Sequence, residues 1–155
     1  MGSFKARLRT DLTAAMRERD VRRVATLRLT LAAITTAEVS GNTARELDDS
    51  EEQTVLTREV RKRREAAQTY GDADRPQLAA DELAEAAIIE DYLPRQLDDE
   101  QVSAIVDEAL QQVAEQICDA PGRAQMGQVM RLATAAAAGR VDGARLSAAV
   151  RATLG

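Results

Sequence analysis

The sequence predicts an all-α protein, and three observations carry that expectation. Apolar residues recur at steps of three and four through most of the chain. No segment alternates apolar and polar residues for long enough to make a convincing strand. Turn-forming residues separate the periodic stretches, and Ser or Asp stands ahead of most of them, where a helix needs a cap.

The elements follow in order. Phe4, Leu8, Leu12, Ala15 and Met16 form one stripe, with Ser3 placed to cap it. Asp20 is the cap expected for a second helix, whose Val24, Leu27, Leu31 and Ile34 face inward until Gly41-Asn42 stops it. Asp48 or Asp49 opens a third, with Glu51 and Glu52 near the positive end of its dipole and Leu56, Val60, Ala67 and Tyr70 inside. After the turn cluster Gly71–Pro76 a fourth helix is expected to bury Leu78, Leu83, Ala87, Ile88 and Tyr92, and Pro94 ends it.

Leu93-Pro94-Arg95-Gln96-Leu97 is the predicted boundary. It divides an N-terminal helical domain of about four helices, residues 1–93, from a small three-helix domain, residues 94–155. In the second domain Asp98 caps a helix with Val102, Ile105, Val106, Ala109, Leu110, Val113 and Ile117 in one stripe. Pro121-Gly122 breaks the chain. A sixth helix carries Met126, Val129, Met130 and Ala133 to Gly139, and Asp142 caps the last one, with Leu146, Ala149 and Val150 inward.

Composition narrows the chemistry. The chain is 45% apolar but only 2% aromatic, so its core is expected from Ala, Leu, Val, Ile and Met. Absence of histidine removes the usual general base and the usual zinc nitrogen ligand. A single cysteine, Cys118, excludes an internal disulfide and a thiolate cluster, and it reads as a small residue near a helix end. No phosphate-binding glycine loop or nucleophile elbow is present. Asp72 and Asp74 start like a calcium loop, but Pro76 occupies the third ligand position. No catalytic residue, cofactor or metal is therefore expected. The longest uncharged run, Leu29 to Ala37, is too short for a membrane span, and a cytoplasmic protein is expected.

The net charge of −5 is unevenly spread. Residues 76–120 carry one positive and twelve negative side chains, a balance of −11. Residues 121–155 carry five arginines against Asp142, a balance of +4. One basic group, Arg58, Arg61, Lys62, Arg63 and Arg64, lies on the third helix beside Glu59 and Glu65 and reads as a charged face paired within the chain. The other is Arg123, Arg131, Arg140, Arg145 and Arg151, interspersed with Gly122, Gly127, Gly139 and Gly143. Arginine beside small residues suits phosphate, because the backbone can approach a bulky anion closely. Stacking aromatics are absent there, so shape and backbone contacts are expected rather than base reading.

Several runs carry a resemblance. Ile89-Glu90-Asp91-Tyr92-Leu93-Pro94-Arg95-Gln96-Leu97 resembles the Y-[ML]-P-x-Q-L junction of the GatB/YqeY family. Met126-Gly127-Gln128-Val129-Met130 and Gly139-Arg140-Val141-Asp142-Gly143 are similar to its M-G-x-V-M helix and its glycine-flanked basic turn, and Glu52 to Arg64 is similar to a conserved segment upstream. Gln125 and Gln128 depart from it, standing where the family often has an acid and a lysine. The resemblance implies a C-terminal domain like the tail of the B subunit of glutamine-dependent tRNA amidotransferase, which contacts the outer part of tRNA. It implies binding of tRNA or another structured RNA, with Arg123, Arg131, Arg140 and Arg145 as phosphate contacts and Gly127, Gly139 and Gly143 permitting close approach. Two alternatives stand beside it. One is an adaptor docking on aminoacyl-tRNA synthetase or amidotransferase components. The other is a carbon–nitrogen ligase using glutamine as amide donor, a description the family label carries from the larger enzyme.

Overall fold

The computed structural model describes residues 2–155. Within them the chain is helical, without strands: α1 (Ser3–Glu18), α2 (Val21–Val39), α3 (Asp49–Asp72), α4 (Pro76–Glu90), α5 (Asp99–Ile117), α6 (Met126–Ala137) and α7 (Gly143–Leu154), with a 3₁₀ turn, Arg123–Gln125, leading into α6. The chain divides into two compact units, the first ending at Leu93 and the second spanning Pro94–Gly155. Among the described residues no helix is long and apolar enough to cross a membrane.

In the first unit α3 and α4 form an antiparallel hairpin, and α1 and α2 pack against each other and onto it. Leu8, Leu27, Ile34, Leu56 and Ile89 are fully buried at its centre. Local chemistry sets the helix starts. The Asp20 side chain accepts from the Arg23 N–H at 3.0 Å. Asp48 and Glu51 cap reciprocally, each side chain accepting the other's backbone N–H. Hydrogen bonds from the Arg45 side chain and the Asp48 backbone hold the Glu51 carboxyl down at about 2.

Ser3 does not cap α1. The cap position is Gly2, and the free N–H groups are taken from across the unit by α3: Asp49 accepts from the Ser3 N–H at 2.6 Å and Glu52 from the Lys5 N–H at 3.0 Å. A Cβ on Gly2 would stand 2.3 Å from the Glu52 carboxyl, so glycine is required by this approach.

Two further expectations are corrected. Met16 is half exposed, because Ala15 takes the core position. Leu78, Leu83 and Ala87 are exposed, while α4 buries Ala86 and Ile89 instead. The face of α4 turned to α3 is chosen by ion pairs as well as by apolar burial. Glu85 bonds Arg63 at 3.2 Å and Glu90 pairs with Arg64. Arg63 also bonds Glu59 at 2.9 Å, and Lys62 bonds Glu59 at 2.8 Å. Burial alone would raise the Glu59 carboxyl, yet those two hydrogen bonds hold it below its ordinary value.

Tyr92, just past α4, is buried and donates its hydroxyl to Asp11 at 2.5 Å, with the Arg7 guanidinium 4.7 Å above its ring. Burial and the Asp11 carboxylate push the phenol up to about 12. An acid whose pKa rises on folding stabilises the fold below its ordinary value near 10 and loses that contribution as pH rises through 12. Tyr92→Phe is expected to lower unfolding stability by about 1–2 kcal/mol and to flatten that alkaline limb. Urea melts at pH 8 and pH 11 check it; equal pH sensitivity in both proteins would refute the assignment.

The second unit is a three-helix cluster in which α5, α6 and α7 all touch one another. Val113, Val129, Ala133 and Val150 are fully buried at its centre, joined by Leu97, Val106 and Leu146. Asp98 and Gln101 form a capping box at α5, and Asp142 accepts from the Ala144 N–H at 2.7 Å to start α7. Cys118 closes α5 in a left-handed conformation (φ 54°) and is exposed.

Candidate nucleic-acid interface

The first basic group, on α3, is largely absorbed by the hairpin pairs of Lys62, Arg63 and Arg64 described above. The second group lies in the second unit. That unit is not basic as a whole, with six arginines against eight carboxylates, but its acids gather on and around α5 and only Asp142 falls beyond Asp119. The arginines beyond Asp119 lie on the 3₁₀ turn, on α6 and α7, and in the turn between those helices.

Each is held differently. Arg123 follows the Pro121-Gly122 break, where Gln125 accepts from the Gly122 N–H at 2.9 Å and closes the turn. Gln125, a departure from the family pattern, thus has a local task that spacing did not reveal. The Arg123 Nε donates to the Gly155 backbone oxygen at 2.6 Å. Arg123 and Arg151 line one cavity of about 350 Å³ over Met126 and Leu154. Arg131 stands exposed on α6, beside Gln116, Gln128 and Leu132 around a cleft of about 250 Å³.

Arg140 follows two left-handed residues, Ala138 (φ 48°) and Gly139 (φ 74°). Its Nε donates to the Arg95 carbonyl at 3.1 Å, and its own carbonyl accepts from the Leu97 N–H at 2.7 Å. Arg145 donates to the Leu97 carbonyl at 2.7 Å and forms an ion pair with Asp99. The structure therefore brings Arg140 and Arg145 together on residues 95–99 and Arg123 together with Arg151, while Arg131 sits with the two glutamines.

Electrostatically these residues are not equal. Arg145 is neutralised by Asp99. Among the described residues Arg123, Arg131, Arg140 and Arg151 have no Asp or Glu partner. In Arg123 and Arg140 the Nε is committed to a main-chain oxygen, which fixes the plane of the guanidinium, and among the described residues no hydrogen bond of either Nη is found.

Gly127 and Gly143 lie in the first turns of α6 and α7, are exposed, and would meet nothing within 4 Å if given a Cβ. Packing inside the unit does not demand glycine at either place, although glycine within a helix costs about 1 kcal/mol against alanine. Gly127 stands four residues before Arg131, on the same outward side of α6. Among the described residues no cluster of acids and cysteine is arranged to hold a metal.

A search among curated proteins finds no match. A family model described as "Yqey-like protein" matches residues 5–154, nearly the whole chain and both units. The junction, the M-G-x-V-M helix and the glycine-flanked turn carried the same resemblance, and the chain belongs to the YqeY-like family.

Proposed function

We propose that this protein binds tRNA or another structured RNA in the cytoplasm, through the α6–α7 side of its second unit. The observation that carries this reading is the set of arginines without an Asp or Glu partner among the described residues, Arg123, Arg131, Arg140 and Arg151, on the same segments as Gly127 and Gly143, which open onto free space. Guanidinium groups tethered through Nε offer phosphate a fixed pair of Nη donors, and missing Cβ atoms let a backbone come close. Arg145 contributes less, since Asp99 already holds it. Carboxylates repel phosphate, so the bound strand has to keep clear of the acids of α5. Recognition is by backbone and shape.

Arg131→Ala is the cleanest probe, because among the described residues Arg131 has no ion-pair or hydrogen-bond partner to lose. Binding to unmodified tRNA is expected to weaken alike for unrelated tRNA sequences, and the slope of log K against log salt to fall in magnitude by about 1. Unchanged affinity and slope in Arg131→Ala, Arg123→Ala and Arg140→Ala alike would rule the reading out.

A further inference from the structure

The first unit carries a surface that its own fold leaves uncovered. On α2 the inward stripe is Thr26, Leu27, Thr30 and Ile34, all fully buried. A second stripe, Val21, Ala25, Leu29, Ala32, Thr36 and Val39, recurs at four- and three-residue steps on the other side, and every member is exposed. Val21 is 81% exposed and Leu29 57%. A helix apolar on both sides is normally covered on both, and a continuous exposed patch of this kind marks an interaction surface. The stripe rises over 18 residues of α2, about 27 Å.

Its charge says what fits. Beside the stripe, Met16, Val21, Val24 and Ala25 form the apolar floor of a groove of about 360 Å³, rimmed by Arg19 and Arg28 and lined by no carboxylate. Among the described residues neither arginine has a carboxylate partner, and the Arg28 guanidinium reaches only the Met16 sulfur, at 3.9 Å. On the α4 side of the stripe a second groove is lined by Asp20, which caps α2, and by Asp81 and Glu85, which are bridged to Arg22 and Arg63. The one acid within α2, Glu38, is buried against Lys5. The outward face of α2 therefore offers apolar contact with a positive margin on the side of Arg19 and Arg28.

We infer that this face docks an amphipathic helix of a partner protein, about five turns long, with an apolar stripe bordered by acidic residues on the side that meets Arg19 and Arg28. An α-helix laid along α2 matches the straight run of the stripe, and its carboxylates meet Arg19 and Arg28 at the rim. This surface belongs to the first unit and is independent of RNA binding by the second.

The test uses the full chain and a fluorescent synthetic helix with leucines on one face and glutamates along one margin, followed by anisotropy. The glutamate probe is expected to bind at least about tenfold more tightly than the same helix with lysines at that margin. Val21→Glu and Arg28→Glu are each expected to weaken it by at least about tenfold, while Arg131→Ala leaves it unchanged. Val21 and Arg28 are exposed, so circular dichroism melts should match the parent. Equal binding of both probes, or of the glutamate probe to parent and Val21→Glu, would overturn the inference. So would a concentration-dependent dimer abolished by Val21→Glu, since a second copy would then cover the stripe, or loss of tRNA binding in Arg28→Glu with no effect on the peptide.

Discussion

Lys5→Ala is expected to destabilise the first unit by about 3–5 kcal/mol, because it strands a carboxylate inside the fold. The Lys5 ammonium lies 2.6 and 2.7 Å from the two oxygens of Glu38, and both side chains are about nine-tenths buried. The pair is not a large net source of stability, since both charges left water to make it. Removing both partners together, as in Lys5→Met with Glu38→Leu, is therefore expected to recover most of the loss. Tyr70 and Tyr92 both lie in the first unit, so tyrosine fluorescence during urea unfolding reports this unit alone. A single substitution costing under 1 kcal/mol would show that the buried pair is not formed.

Arg63→Ala is expected to cost about 3 kcal/mol by the same measurement, through a different arrangement. Arg63 is 6% exposed and joins two helices, binding Glu59 of its own helix through Nη1 and Glu85 of α4 through Nε. Lys62 still neutralises Glu59 when Arg63 is gone, which keeps the cost below that at Lys5. Arg63→Lys should recover less than half of the loss, because an ammonium cannot span both carboxylates in the fixed plane that the guanidinium uses. Full rescue by lysine would mean that charge alone, and not the fork, holds α3 to α4.

These two sites show where the sequence was legible and where it was not. Helix type and order followed from periodicity, and the aspartate caps at 20, 48, 98 and 142 were readable because a cap acts within three residues of itself. The cap of α1 was not, since its acceptors come from Asp49 and Glu52, more than 40 residues away. A signal for the buried charges was nevertheless present. Lys5 precedes Leu8, Leu12 and Ala15 on one stripe, Glu38 follows Thr30 and Ile34, and Glu52 precedes Leu56 and Arg63. A charged residue in register with a buried stripe predicts a buried partner, but periodicity does not say which.

The leucines of α4 misled for the converse reason. Leu78 and Leu83 look like core residues, yet the carboxylates that answer Arg63 and Arg64 determine which side of α4 turns inward. At the candidate interface, composition pointed to the arginines but could not separate Arg145, held by Asp99 from another helix, from Arg131, which has no ion-pair partner among the described residues. That distinction depends on pairings some 45 residues apart and appears only once the helices are assembled.

The most direct measurement is the affinity of the full chain for tRNA across a series of salt concentrations. Four arginines meeting phosphates should give a slope of log K against log salt of about −3.5 on duplex-like RNA. The slope should fall to about −1 when Arg123, Arg131 and Arg151 are replaced together by alanine, leaving Arg140. A flat dependence, or a steep one indifferent to that triple replacement, would contradict an arginine-lined RNA surface on α6 and α7.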